Sequence, residues 1–275
     1  MDRLFIIQLI ASFILGGGVI TLLSFLAERV SSRTAGLILT LPTTLALGFF
    51  FLGWTLSSDA VADIVPAILI PMGISILFAA IYSYAGEYSA KIIKNKLWQI
   101  TISFIVSIGI WLALDMLVMP FKLNSLEVGV AGYFLLIIIT HFLLKRRYYK
   151  KPVFLKYNFT QKIGRAIFVG VVISSVVFFG KTLGSFWGGI LSTFPAAFSS
   201  SMIIIHWYYG PESLFPTMQK AAIGSISIFA YAIAAMLTFP KIGFFLGTIF
   251  AYLISIVITL LLIRFQPKPR NFSSS

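Results

Sequence analysis

Long apolar runs separated by short polar and basic clusters fill this chain from end to end. A helix that crosses the hydrocarbon core of a bilayer needs about 20 mostly apolar residues. About nine stretches approach that length: 4–27, 35–57, 64–85, 98–118, 127–145, 164–181, 187–209, 219–238 and 242–264. Lipid offers no partner for a backbone N–H or C=O, so only helices and closed barrels can span it. A barrel would show short alternating segments. The runs here are continuous, so the predicted fold is an all-α, polytopic transmembrane helix bundle.

Composition agrees. Of 275 residues, 59% are hydrophobic and 11% charged, where a soluble domain carries about 25% charged residues. The absence of cysteine excludes disulfides and thiolate chemistry. With two histidines, no His-rich metal set is expected, and no cofactor. Met1-Asp2-Arg3 lacks the basic start and cleavage site of a signal peptide, so 4–27 is read as the first span.

The net charge of +13 raises nucleic acid as a partner, and the placement of the charge argues against it. With nine alternating spans, seventeen of the 21 basic residues fall on one side, eight of them between Lys145 and Arg165. Arg3, Lys122, Lys181 and Lys241 fall on the other. Basic residues collect in cytoplasmic loops. The N-terminus is therefore expected outside and the C-terminus in the cytoplasm. The 145–165 stretch reads as a topology-setting linker that attracts lipid headgroups.

Comparing the chain with itself adds a repeat. Ala35-Gly36-Leu37-Ile38-Leu39-Thr40-Leu41-Pro42 opens the second span, and Gly188-Gly189-Ile190-Leu191-Ser192-Thr193-Phe194-Pro195 opens the seventh. A shift of 153 residues pairs Gly36 with Gly189, Thr40 with Thr193 and Pro42 with Pro195. The same shift pairs Trp54 with Trp207 and Asp59 with Glu212. Outside this block no equally sharp match stands out. The shift spans five helices, an odd number, so the second copy would enter the membrane inverted, as in many transporters. The expected organisation is 4+1+4: residues 1–126 as the first four-helix repeat, 127–163 as a linker helix with its basic cytoplasmic segment, 164–265 as the inverted second repeat and 266–275 as a cytoplasmic tail.

The block Ala35–Pro42 with Thr43, and its twin Gly188–Pro195 with Ala196, resemble the central motif of the GlpM family of small four-helix inner-membrane proteins. The resemblance implies a fused, duplicated member of that family, in the cytoplasmic membrane of a prokaryote. It carries no settled biochemistry. The second copy also departs from the first: Thr43 and Thr44 become Ala196 and Ala197, while Ala46, Leu47 and Gly48 become Ser199, Ser200 and Ser201.

Pro42 lies eight residues into its predicted helix, a depth of roughly 12 Å at 1.5 Å per residue. Pro195 reaches a similar depth from the other side, so the two should meet near mid-membrane. Proline removes a helical hydrogen bond and disturbs the carbonyl four residues back, here that of Ile38 and of Leu191. Freed carbonyls and hydroxyls at mid-depth are how broken transporter helices hold ligands. The candidate substrate-binding residues are Gly36, Thr40, Pro42, Thr43, Thr44, Gly189, Ser192, Thr193, Pro195, Ser199 and Ser200. The same residues could instead serve plain helix packing. Asp115 is expected to reach the outer interface, and His206 to sit at a helix end, so no central carboxylate offers proton or cation coupling. Expected partners are the bilayer, a small neutral or anionic solute and further copies of the chain. A small-solute or ion transporter or channel is the first reading; a non-transporting scaffold or assembly factor for envelope lipid or polysaccharide machinery is the alternative. An enzyme is not expected, because no paired acids or activated nucleophile stand at a membrane surface.

Overall fold

The structure is a computed structural model and describes residues 3–29, 41–118, 121, 124–145 and 157–265. Gly36, Thr40 and the carbonyl of Ile38 lie outside the described residues. The described part is all-α. Its helices are α1 (Arg3–Arg29), α2 (Thr43–Thr55), α3 (Ser58–Ile92), α4 (Lys96–Val118), α5 (Leu126–Leu144), α6 (Phe159–Leu183), α7 (Ser185–Thr193), α8 (Ala196–Tyr209), α9 (Leu214–Gly224) and α10 (Ile226–Phe265). Seven helical runs among the described residues are long and apolar enough to cross a membrane.

The side chains are arranged for lipid. Leu4, Ile7, Ile10 and Ile14 of α1 face outward, while Gln8, Ser12 and Ser24 are buried. On α4 the buried stripe is Gln99, Ser103, Ser107, Trp111 and Asp115, one residue per helical turn, with Ile105, Leu112, Met116 and Leu117 exposed. A helix in water hides its apolar face and shows its polar one. Here the pattern is reversed, as lipid demands: polar groups turn inward, where neighbouring helices satisfy them. The protein is a multi-pass integral membrane protein.

Helix boundaries differ from the expected spans where backbone chemistry intervenes. The stretch 187–209 is two helices, α7 and α8, broken at Phe194 and Pro195. The described part of 35–57 is helical only from Thr43, directly after Pro42. The expected break at 239–241 lies instead at Gly243, whose φ of 76° interrupts α10. Pro240 stays helical, and a glycine takes the left-handed conformation at no steric cost. Ser57 caps α3 by accepting the Ala60 N–H at 3.0 Å. Asn158 and Gln161 form a reciprocal capping box at the start of α6.

Two close crossings position the rest. α1 and α6 pack through glycine: a Cβ on Gly17 would stand 2.6 Å from the Ala166 carbonyl oxygen, and one on Gly170 would stand 2.7 Å from that of Phe13. The partners swap roles at a shift of 153, since Gly17 corresponds to Gly170 and Phe13 to Ala166. Near the break, a Cβ on Gly48 of α2 would meet Ser192 Cβ at 2.6 Å, and one on Gly188 of α7 would meet Gly180 Cα of α6 at 2.8 Å. α3 runs through the middle of the bundle, flanked by α4, α5, α7 and α10.

Candidate functional site at the two proline breaks

Pro42 and Pro195 adopt the same backbone geometry, with φ −75°, ψ 45° and φ −81°, ψ 57°. Each is the centre of an inverse γ-turn. Thr43 N–H donates to the Leu41 carbonyl at 2.8 Å, and Ala196 N–H to that of Phe194 at 2.8 Å. Each proline then begins a helix: Ala46 N–H donates to the Pro42 carbonyl at 2.7 Å, and Ser199 N–H to that of Pro195 at 2.8 Å. Neither helix start has a side-chain cap.

A cavity of about 50 Å³ lies between these turns. Residues 153 apart line it in pairs: Leu41 with Phe194, Pro42 with Pro195, Thr44 with Ala197, Leu45 with Phe198 and Ser75 with Ile228. Thr43, Met72, Ile76, Tyr133, Ser192 and Thr193 complete the wall. No Asp, Glu, Lys, Arg or His lines it among the described residues. Water needs about 10–15 Å³ of such space per molecule, so the cavity holds a few waters or one small ion.

A hydrogen-bond chain fixes one wall. Trp111 Nε1 donates to Ser75 Oγ at 3.0 Å, Ser75 Oγ donates to Thr193 Oγ1 at 3.2 Å, and Thr193 Oγ1 donates to the Ile190 carbonyl at 2.7 Å. Ser192 donates to the Gly189 carbonyl at 2.6 Å. Phe194 beside this chain packs edge-on against Trp111 and Phe78, with ring centres 5.2 and 5.8 Å apart. Opposite, Tyr133 donates to the Ser225 carbonyl at 2.7 Å. Replacing Ser75 with alanine strands the buried indole N–H, at a cost of about 1–3 kcal/mol. The expected result is an earlier unfolding midpoint in detergent titrations, with Trp111→Phe/Ser75→Ala costing less than the sum of the single changes.

The structure brings Pro42, Thr43, Thr44, Ser192, Thr193 and Pro195 of the sequence-predicted set onto one cavity. Gly189 is nearby but packs against Ile64 and Ile68 rather than lining it. Ser199 and Ser200 do not line it either. Ser199 is fully buried with its hydroxyl unpartnered among the described residues, and Ser200 donates back to the Ala197 carbonyl at 3.0 Å. The rise of the helix explains this, because Ser199 and Ser200 stand a full turn or more beyond Pro195, roughly 6 Å further along the axis. Ser201 is likewise elsewhere, bonded to Tyr157 at 3.1 Å. The expected free carbonyl at Leu191 is not free: it accepts the Phe194 N–H at 3.1 Å.

Sequence reasoning missed Ser75, Tyr133 and Trp111, which reach the cavity or its wall from α3, α5 and α4. It also misplaced Asp115, while His206 lies in the last turn of α8 as expected. Asp115 is 3% exposed, within the bundle, and both its carboxyl oxygens lack a hydrogen-bond partner among the described residues. His206 is 1% exposed, with Nδ1 3.4 Å from the Tyr82 hydroxyl. Position along a helix gives depth but not azimuth; the one-per-turn stripe on α4 was the signal that faces Asp115 inward.

Compared with family models, curated proteins and solved structures, the chain matches none.

Proposed function

We propose that the chain is a transporter or channel for a small solute or ion, and that the cavity at Pro42 and Pro195 is its site. The observation that carries this reading is the pairing itself. Two γ-turns of the same geometry, 153 residues apart, each open a helix onto one cavity. Discontinuous helices meeting at a pseudo-two-fold axis are the site architecture of many transporters.

The reading extends to topology. Nine spans in a 4+1+4 arrangement, with the N-terminus outside and the C-terminus in the cytoplasm, account for the basic-residue distribution. The inverted repeat is supported by the reciprocal Gly17–Ala166 and Phe13–Gly170 contacts, because a two-fold axis makes contacts swap partners. α5 is then the odd helix that inverts the second copy. Membership of the GlpM-like family, with its prokaryotic inner-membrane setting, rests on the two Thr-x-Pro blocks. No enzymatic step is proposed for the cavity, whose wall offers hydroxyls without a base.

A scaffold or assembly role is the second reading, favoured by the aromatic packing of Phe194 against Trp111 and Phe78. Flux separates the two. The purified chain in proteoliposomes should pass at least one small solute, and Thr193→Val should lower that rate about tenfold, the equivalent of 1.4 kcal/mol. Equal rates for wild type and Thr193→Val would remove Thr193 from the site. No flux for any solute would favour the scaffold.

A further inference from the structure

We infer that the cavity binds a small monovalent anion of halide size, held by two uncapped helix N-termini; this rests on the cavity's being a solute site. A helix start leaves its first N–H groups without intrahelical partners. At α2 and α8 the accounting is specific. The Thr43 and Ala196 N–H groups are used by the γ-turns, and those of Ala46 and Ser199 bond the proline carbonyls. The N–H groups of Thr44 and Leu45 at one start, and of Ala197 and Phe198 at the other, have no partner among the described residues, and neither start has a side-chain cap. All four residues line the cavity. In a bundle surrounded by lipid, such groups need a partner.

A side chain points the same way. Thr44 is 8% exposed and lines the cavity, and its hydroxyl has no hydrogen bond among the described residues. It is a fifth donor without an acceptor.

Most carbonyls at the break are already used. Those of Leu41, Pro42, Leu191, Phe194 and Pro195 accept backbone N–H groups. Those of Gly189 and Ile190 accept the Ser192 and Thr193 hydroxyls. At the end of α7 only the Ser192 and Thr193 carbonyls have no donor among the described residues. The unsatisfied donors outnumber these two carbonyls and stand at the positive ends of two helix dipoles, the arrangement that favours an anion. A cation would find no carboxylate on the wall among the described residues, and only the Ser192 and Thr193 carbonyls there without a donor.

Size and charge narrow the class. Without an Arg or Lys on the wall, nothing balances a second negative charge. At about 50 Å³ the cavity suits one ion with a residual water, not a phosphate ester or a sugar acid. The ligand class is therefore a halide-like monovalent anion.

The test is ion flux from phosphatidylcholine/phosphatidylglycerol vesicles containing the full chain and loaded with potassium chloride, read with a chloride electrode. Valinomycin supplies the counter-path for potassium. Sodium efflux without ionophore and glycerol permeation are the cation and neutral arms. The expected result is valinomycin-dependent chloride release. Ala197→Pro deletes one donor N–H at a first-turn position where proline is tolerated, and Thr44→Val deletes the hydroxyl. Each should slow release at least tenfold, while Ser175→Ala, on the far side of α6, should not. Sodium or glycerol flux without chloride would overturn the anion and keep the site; no flux in any arm would overturn both. Chloride release unaffected by both variants would also overturn the assignment. Should Ala197→Pro fail gel filtration, Thr44→Val and bromide-soaked crystals of the wild type still decide. An anomalous peak within hydrogen-bond distance of these N–H groups is expected, and bromide absent from the cavity would contradict it.

Discussion

Gly17→Val and Gly170→Val are each expected to destabilise the bundle by about 3 kcal/mol or more, the upper end of what overpacking costs. Most overpacked sites relax because the obstructing atom ends a flexible side chain. Here the obstruction is backbone: the Ala166 carbonyl oxygen at 2.6 Å and the Phe13 carbonyl oxygen at 2.7 Å from the added Cβ. Neither can move without separating α1 from α6. In lipid, helix association depends on close packing, because no hydrophobic effect replaces it. The measurement is the unfolding midpoint in mixed detergent micelles. Gly18→Val is the control, since nothing lies within 4 Å of its added Cβ, and its effect should stay within about 0.5 kcal/mol. The two large effects should also be sub-additive, because either substitution alone forces the same crossing apart. Full additivity would mean that the two glycines do not share one contact.

The second large effect concerns passage rather than stability. Ala197→Leu puts three more carbons at the wall of a cavity of about 50 Å³. Solute flux should fall at least tenfold, and the folded protein should still elute as one species, because the larger side chain enters existing space. Thr44→Leu, the equivalent position 153 residues earlier, should do the same from the other half. The two changes share no helix and no sequence neighbourhood. Blockage by both ties function to the cavity; normal flux in both would place the pathway elsewhere.

Much of this was legible in the chain. The apolar runs identify a membrane protein, and Thr-x-Pro at a 153-residue interval identifies both breaks. Less legible was what the breaks do. A proline in a helix suggests freed carbonyls, yet the Leu191 carbonyl accepts the Phe194 N–H, and the N–H groups after each proline are left over. That outcome depends on which local hydrogen bonds win, and sequence spacing does not reveal it. The α1–α6 crossing was written at the same shift, as Gly17 with Gly170 and Ile20 with Ile173. Glycine and isoleucine are common in apolar helices, so those matches do not stand out until the contact is seen. Ser75, Tyr133 and Trp111 carry no local signature at all; they belong to the site because α3, α5 and α4 happen to converge there. Asp115 was misplaced because its distance along α4 was considered without its face.

Asp115 and His206 give the bundle two buried ionisable groups outside the cavity wall. Asp115 shares the buried stripe of α4 with Trp111, one turn away, and Trp111 anchors the Ser75–Thr193 chain. A substitution at Asp115 therefore reaches the cavity through Trp111 rather than by touching a solute.

The central claim is that two halves of opposite orientation build one site, and topology tests it most directly. The chain has no cysteine, so single cysteines report cleanly. Asp59 and Glu212 are equivalent at a shift of 153 and both are exposed, each just after the membrane segment that carries its break. In intact cells a membrane-impermeant maleimide should label Asp59→Cys and should reach Glu212→Cys only after permeabilisation. Labelling of both positions from the same side would contradict the inverted repeat, and with it the two-fold origin of the cavity.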